Sequence, residues 1–495
     1  MTRDSRLVLT PDGLAAADAR AIEAGTSALA LMDRASAACV RVIRGRWSRR
    51  PVTVLCGPGQ NGGDGWAIAW MLRAAGWPVT VHAAVAPMRM TGAAREAAER
   101  AELPPRSLNE FAPGPGDLVV DALFGAGLSR DLQGAARTAV ERLAESGADV
   151  LAVDLPSGVD GRTGAVRGAA ARAEVTVTFH ARKPGHLLWP GAPLCGRVVV
   201  GDIGLGRGAN GAGDLPEALH NHPSLWSLPT LAGDTHKYAR GAVVVVSGPA
   251  LTAGAARLAA RAPARGGAGA VTLASPLGAL DVNAGHLDAI MLRALPREGD
   301  LAALAAERDA SVVIGPGAGR SDATRARVLR VLEAGTRCVL DADALTVFEE
   351  EPDTLFAACH ERVVLTPHEG EFARLFGASE AGKLTHAREA AARAGATVLL
   401  KGPDTVIASL DAVPVISTHG TPWLATAGSG DCLSGVIGAL LARGMSAHDA
   451  ACAGAWLHGE AGRRAGPDLV ADDLPALIGA ALRDLARMDR LGPAR

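Results

Sequence analysis

Aromatic side chains are nearly missing from this chain: Phe, Trp and Tyr make up 3% of 495 residues, with a single tyrosine. Apolar residues still reach 48%, so the cores must be filled with Ala, Val and Leu, which suits helices laid on sheets. An excess of either charge is missing too. Fifty Lys and Arg against 52 Asp and Glu leave a formal net charge of −2, which excludes a broad basic field for gripping nucleic acid or an anionic membrane. Small molecules are the expected partners, with no nucleic acid and no membrane. Cys39, Cys56, Cys195, Cys338, Cys359, Cys432 and Cys452 are scattered and never form a CxxC pair. They read as reduced thiols filling small core spaces. No stretch approaches the ~18 uninterrupted apolar residues of a bilayer crossing, and the opening MTRDSRLVLTPDG lacks the apolar run of a secretion signal. The expected location is cytoplasmic.

What is present is a repeated alternation. After an Ala-rich helical start, about Pro11 to Arg44, short β-branched runs alternate with helical ones. They are Val52 to Leu55, Val79 to Val81, Leu118 to Asp121, Val150 to Asp154, Val175 to Phe179 and Arg197 to Val200. That rhythm predicts a mostly parallel sheet covered by helices. Gly204 to Pro223 is rich in glycine without an apolar period, and a linker is expected there, at 208–223. A second alternation runs through Ala242 to Val246, Ala270 to Leu273, Ser311 to Ile314, Cys338 to Asp341, Arg362 to Leu365 and Thr397 to Lys401. Two α/β domains follow, 1–207 and 224–495, with loop motifs too different for a duplicated repeat.

In the first half, Gly57-Pro-Gly-Gln-Asn-Gly-Gly-Asp-Gly65 stands directly after the first strand, with a helical run expected from Trp66. Its glycines let backbone approach a ligand, and the next helix start favours an anion. Gly57, Gly59 and Gly62 match GxGxxG, but the second strand ends without the Asp or Glu that would hold a ribose, which disfavours an ordinary dinucleotide dehydrogenase. A glycine-rich turn without a ligand is the plainer alternative. Two more strands end in Asp121-Ala-Leu-Phe-Gly-Ala-Gly127 and Asp154-Leu-Pro-Ser-Gly-Val-Asp160. Ligands sit outside the carboxyl ends of strands in open α/β sheets, so the three loops are expected at one crevice. There the oxygens of Asn61, Asp121 and Ser157 suit a hard cation, the alternative being caps and turn formers.

NGGDG, DALFGAG, DLPSGVDG and TFHARKPGH together resemble the NAD(P)H-hydrate epimerase family over roughly residues 10 to 205. The resemblance implies a Rossmann-like domain in which Asn61, Asp121 and Ser157 bind K+. It also implies that Asn61, Gly62, Gly63, Asp64 and Gly65, the loop Gly125, Ala126, Gly127, Leu128, Ser129, Arg130 and Asp131, and Asp154 hold the hydrate. Asp154 and Lys183 are the candidates for proton handling. Gln60 stands where the family usually has a second Asn.

In the second half, Gly420-Thr-Pro-Trp-Leu-Ala-Thr-Ala-Gly-Ser-Gly-Asp431 leads into an apolar helix from Cys432. A Gly-Ser-Gly turn at a helix start aims several amides at one point, where phosphate charge is stabilised. A carboxylate there accepts a proton from a hydroxyl undergoing phosphoryl transfer, or merely complements the helix dipole. Gly377 to Lys383 imitates a phosphate-binding loop, but it has Leu384 where Ser or Thr should bind magnesium and it follows a helical run, so that reading is rejected. HKYARG, TAGAARLAARA, GPGAG, DADAL, TPHEGEF, KGPDTVI and ATAGSGDCLSG resemble the ADP-dependent NAD(P)H-hydrate dehydratase family of ribokinase-like α/β domains. The resemblance implies hydrate contacts at Ala255, Gly317, His368 and Asp431, and nucleotide contacts at Lys401, Gly402, Pro403, Asp404, Thr405 and Gly430. It further implies ADP as co-substrate, Mg2+ at this site, and phosphoryl transfer to the hydrate hydroxyl followed by loss of phosphate.

The whole chain thus resembles a bifunctional hydrate repair enzyme, an isomerase joined to a lyase, acting on hydrated NADH and NADPH. A homo-oligomer is expected. A vitamin or sugar kinase of the same superfamily is the competing reading of the second half, because true kinases share GxGD and the anion turn. A nucleotide-sensing or scaffold module is the non-catalytic one.

Overall fold

The computed structural model describes residues 6–205, 216–230, 235–295, 297, 299–379 and 381–491. The chain divides into two compact units, Met1–Leu219 and His220–Arg495. The division falls inside the expected linker 208–223, of which 208–215 lie outside the described residues. Within 216–223 the chain forms a strand, Ala218–His220, where the sequence pattern predicts a plain connector. Asn221 is buried, and its amide nitrogen donates to the Cys452 carbonyl at 2.8 Å and to Ser417 Oγ at 3.2 Å. Among the described residues no helix is long and apolar enough to cross a membrane.

The strands of the first unit are β1 Leu7–Val8, β2 Val52–Cys56, β3 Val79–Ala83, β4 Arg106–Ser107, β5 Leu118–Ala122, β6 Asp149–Val153, β7 Val175–Phe179 and β8 Arg197–Gly201. Strands β2 to β8 form one sheet in the order β4-β3-β2-β5-β6-β7-β8. Every pair in it is parallel. Side chains alternate across a strand, so Val52, Val54, Leu118 and Val120 join one core with the helices Ala28–Arg46, Gln60–Ala74 and Gly92–Ala101. Leu55, Val119 and Val150 join a second core with Val140 and Leu143 of the helix Gly134–Glu145. The Ala-rich start is two helices, Pro11–Glu23 and Ala28–Arg46, each opened by a side-chain cap, from Thr10 and Ser27.

The second helix-forming motif also begins earlier than its pattern suggests. Helix Gln60–Ala74 includes the whole NGGDG segment, so those glycines lie in a helix rather than in the loop before Trp66. The reason is packing. A Cβ on Gly63 would meet Ala94 Cα at 2.7 Å, and one on Gly65 would meet Ala122 Cβ at 2.7 Å. Glycine, otherwise poor in helices, allows this helix to lie against a second helix and against the sheet.

The second unit contributes β9 Ala218–His220 in part, then β10 Ala242–Val246, β11 Ala270–Ser275, β12 Met291–Ala294, β13 Ser311–Ile314, β14 Cys338–Leu340, β15 Val363–Leu365, β16 Thr397–Leu400, β17 Thr405–Ser409 and β18 Ala412–Ser417. The order runs β18-β17-β16-β15-β14-β13-β10-β11-β12. It is parallel from β12 to β16 and antiparallel across β16, β17 and β18. The helices Ala253–Arg265 and Ser429–Ala442 pack closely, because Gly435 leaves room for the Ala259 carbonyl. All seven cysteines are free, and all but the half-buried Cys359 are fully buried.

Candidate functional sites

The order in which strands are added to the first sheet reverses between β2 and β5: the chain steps outward through β3 and β4, then returns to place β5 beside β2. A crevice is expected outside the carboxyl ends at such a switch. Asn61 follows β2, Asp121 ends β5 and Asp154 follows β6, so the three expected loops do lie on one edge.

Asp154 is the centre of the most constrained group. Its φ is +67°, a left-handed backbone that costs a non-glycine residue roughly 1–2 kcal/mol and tends to persist where function needs it. Lys183 Nζ donates to Asp154 Oδ1 and, at 2.7 Å, to Thr178 Oγ1, which itself lies 3.1 Å from Asp154 Oδ1. The Ala126 amide donates to Asp154 Oδ2 at 2.9 Å. Burial would raise this carboxyl, but the Lys183 ammonium and these bonds outweigh it and hold Asp154 below the ordinary carboxylate range. His186 Nδ1 accepts from the Lys183 amide at 2.9 Å, so its Nε2 proton faces the Asp154 carbonyl 2.7 Å away. Burial, with Lys183 beside it, lowers His186 to about 4 and keeps the ring neutral. Thr178 and His186 were missed as site residues although TFHARKPGH contains both; only their convergence on Asp154 singles them out.

Asp64 sits at the same edge under the opposite influence. Burial, then the negative charges of Asp154 and Asp18, push it well above the ordinary range. The two carboxyls at this edge are thus driven apart in proton affinity by their different neighbours. Gly62, Gly63 and Gly65 are buried in packing, whereas Gly127, Ser129, Arg130 and Asp131 are exposed on the loop after β5.

The expected cation ligands are brought together only in part. Ser157 Oγ donates to Asp121 Oδ1 at 2.6 Å, and the Ser157 amide donates to Oδ2 at 2.8 Å. Asp121 is fully buried, and burial raises it against those bonds. Asn61 is tied elsewhere: oriented to satisfy both its atoms, it donates to the Val153 carbonyl at 3.1 Å and accepts from the Gly125 amide at 3.2 Å.

In the second unit the helix Ser429–Ala442 starts at Gly428, whose φ of +87° gives the tight entry that aims the following amides outward. Asp431 is in its first turn. Burial, together with Asp341 and Asp343, raises Asp431 to about 7, and Lys401 opposes them. Lys401 Nζ donates to Asp341 Oδ1 at 2.7 Å and lies 3.8 Å from Glu371 Oε2. Burial alone would lower this ammonium, but the two carboxylates more than offset it and raise it. His458, buried and lowered to about 4, places Nε2 3.0 Å from both Ser429 Oγ and the Ser429 carbonyl, fixing the turn from behind.

The remaining expected residues group around this turn. Thr252 Oγ1 donates to the Gly317 carbonyl at 2.8 Å, and a Cβ on Gly317 would stand 3.2 Å from Ala255 Cβ, so Ala255 and Gly317 are neighbours. Gly430 lies against Lys401, whose Nζ is 3.7 Å from where its Cβ would be. Gly402 and Thr405 close a short turn through Thr405 Oγ1, and Asp404 is held by Lys383 Nζ at 2.7 Å. His368 is an N-cap: its Nδ1 accepts from the Gly370 amide at 3.0 Å while Glu371 returns a bond to the His368 amide at 2.8 Å. His368 thus serves as a helix cap with an exposed ring whose Nε2 lies 3.5 Å from Glu371 Oε1. Lys383 opens a helix and pairs with Asp404 at 2.7 Å and with Glu369 at 2.8 Å, so it is not a phosphate-loop lysine.

Residues 243–483 match the family model described as NAD(P)H-hydrate dehydratase, and residues 28–185 match that of the YjeF-related protein N-terminus. The bifunctional NAD(P)H-hydrate repair enzyme Nnr of Coxiella burnetii is 35% identical, over 92% of this chain and 95% of its own length. The protein of the same name from Escherichia coli is 34% identical over 88% of this chain and 85% of its own. Among solved structures, an ADP/ATP-dependent NAD(P)H-hydrate dehydratase from Bacillus subtilis, co-crystallised with ATP and Mg2+, is 25% identical with a TM-score of 0.44, covering 52% of this chain and 95% of that one.

Proposed function

Because the chain belongs to the family of bifunctional NAD(P)H-hydrate repair enzymes, we propose that its two units split the repair of hydrated NADH and NADPH between them. The first interconverts the R and S epimers; the second dehydrates the S epimer at the expense of ADP. One observation carries this reading: each unit places a lysine–aspartate ion pair suited to proton chemistry at the carboxyl ends of its strands.

In the first unit Asp154 takes a proton from the hydrate and Lys183 supplies one. Epimerisation returns every proton it removes, so a carboxylate and an ammonium already joined by a hydrogen bond exchange it without solvent. Asn61, Asp64 and the loop Gly125 to Asp131 hold the substrate. Asp121 is a buried carboxylate paired to a neutral hydroxyl and to amides, and an all-oxygen neighbourhood of that kind fits a hard monovalent cation. Asp121, Ser157 and Asn61 would hold K+, which would add positive field beside the substrate oxygens.

In the second unit Asp431 accepts the proton of the hydrate hydroxyl as that oxygen attacks the terminal phosphoryl group of ADP and AMP departs. Loss of phosphate and of a proton from the adjacent ring carbon then restores the dihydronicotinamide. Amides of the Gly428 to Asp431 turn take up phosphoryl charge, and Lys401 to Thr405 with Gly430 hold the nucleotide. Mg2+ would neutralise its phosphates. Incubating the chain with mixed epimers and following recovery of reduced nicotinamide absorbance tests this: complete recovery with ADP supports both activities, and recovery of only one epimer removes the epimerase. Asp121→Ala should weaken epimerisation by about 10–100-fold, the scale of lost metal support, while dehydration of the S epimer persists. Epimerisation that is indifferent to K+ would remove the cation.

A further inference from the structure

We propose that Asp341 is the positioning residue of the nucleotide-dependent site, clamping Lys401 with one carboxylate oxygen and Ser434 with the other so that the Gly428 to Asp431 turn keeps its place. The inference rests on the reading of Asp431 as the base. Asp341 lies just past β14 and is 1% exposed. Its Oδ1 accepts from Lys401 Nζ at 2.7 Å and from the Ala342 amide at 2.9 Å. Its Oδ2 accepts from Ser434 Oγ at 2.5 Å. Ser434, fully buried, stands one helical turn after Gly430, whose carbonyl is 3.0 Å from the same Oγ. A hydroxyl has one proton, and the charged acceptor at the shorter distance takes it. One buried carboxylate therefore joins the ends of β14 and β16 to the second turn of the helix carrying Asp431, directly behind the Gly428 to Asp431 turn.

Asp341 does not reach the reacting atoms; it acts through Lys401 and Ser434. The charged groups around Asp431 come from three elements. Asp341 and Asp343 follow β14 and raise its proton affinity, Lys401 follows β16 and lowers it, and Glu371, in the helix Glu369–Phe376, faces Lys401. His458 behind Ser429 stays neutral. Removing the two ends of the clamp should therefore move the acidic limb of the kcat profile in opposite directions. Asp341→Asn takes away a negative neighbour and shifts it to lower pH. Lys401→Met takes away a positive one and shifts it to higher pH. A residue that only supports the fold lowers kcat without such a pattern.

The experiment uses the full chain, S-epimer hydrate and ADP, with kcat recorded across the neutral range. Asp341→Asn is expected to lose about 10²-fold in kcat, the scale of a misplaced reacting group, with a smaller change in KM for ADP. Ser434→Ala should lose less and leave the limb in place. The Asp341→Asn and Lys401→Met double variant should be no worse than the poorer single one, since both cut the same clamp. Limbs that stay put, or move the same way, overturn the proposal, as does additivity in the double variant. Should Asp341→Asn fail to melt cooperatively, Lys401→Met and Ser434→Ala decide by the same criteria. Asp431→Asn run alongside separates the two readings: near-normal turnover there removes the base itself, whereas abolished turnover with unmoved limbs removes only Asp341.

Discussion

The two units solve one electrostatic problem in opposite ways. Each places a carboxylate at the carboxyl ends of parallel strands with a lysine nearby, buried in the first unit and half-buried in the second. In the first unit Lys183 binds the carboxylate proposed to react, Asp154, which is held below its ordinary range. In the second, Lys401 binds a different carboxylate, Asp341, and Asp431 rises to about 7. Burial is common to both, so the partner chosen by the lysine sets basicity. A strong base near neutrality suits the proton of a hydroxyl attacking phosphorus; a firmly ionised one beside its own acid suits a reversible exchange.

The comparison breaks most sharply at Asp431. Asp431→Asn should cost dehydration ~10²–10⁴-fold, the usual range for a lost general base, and leave epimerisation intact; a folded variant with near-normal dehydration would reduce Asp431 to a dipole partner. Lys183→Met should leave Asp154 buried without its cation, destabilising the first unit by about 3–5 kcal/mol in chemical denaturation and raising the carboxyl. The sign follows from linkage: a carboxyl depressed in the folded state stabilises above its unfolded pKa, and that stabilisation is lost as pH falls through the folded value. Wild-type stability in the first unit should therefore decline in acid, and in Lys183→Met that decline should be blunted.

A pH profile sharpens the contrast without mutation. Dehydration should rise through about pH 7, where Asp431 becomes a base, while the acidic limb of epimerisation lies lower, below the ordinary carboxylate range. Coincident limbs would erase the distinction. The smallest effect is on stability: a carboxyl raised by burial weakens the fold as pH rises from its unfolded value to its folded one. Asp431→Asn should accordingly stabilise the second unit at neutral pH by on the order of 1 kcal/mol after solvent screening, seen as a higher melting temperature.

The sheets were legible because strands such as Ala242–Val246 and Val363–Leu365 are buried at every position and read as unbroken apolar runs. The hairpin of β17 and β18 was not, since its turn at Leu410 and Asp411 lacks the glycine or asparagine that usually marks one and β18 contains Pro414. The edge strand β12 was hidden by its exposed Arg293 and Ala294. At the sites, loop position was readable but pairing was not. Nothing in DADAL says that Asp341 rather than Asp431 takes Lys401, and nothing in NGGDG says that its glycines serve helix packing as well as any ligand. Those are contacts between segments tens of residues apart, which one sequence does not encode in spacing.

The thiols have a chemical corollary. Burial raises Cys195, Cys359 and Cys432 to about 12, and Cys39, Cys56, Cys338 and Cys452 are likewise displaced upward. Peroxides and alkylating agents attack thiolates. The folded chain offers them almost none at neutral pH, so its thiols should resist peroxides and alkylating agents until the chain unfolds.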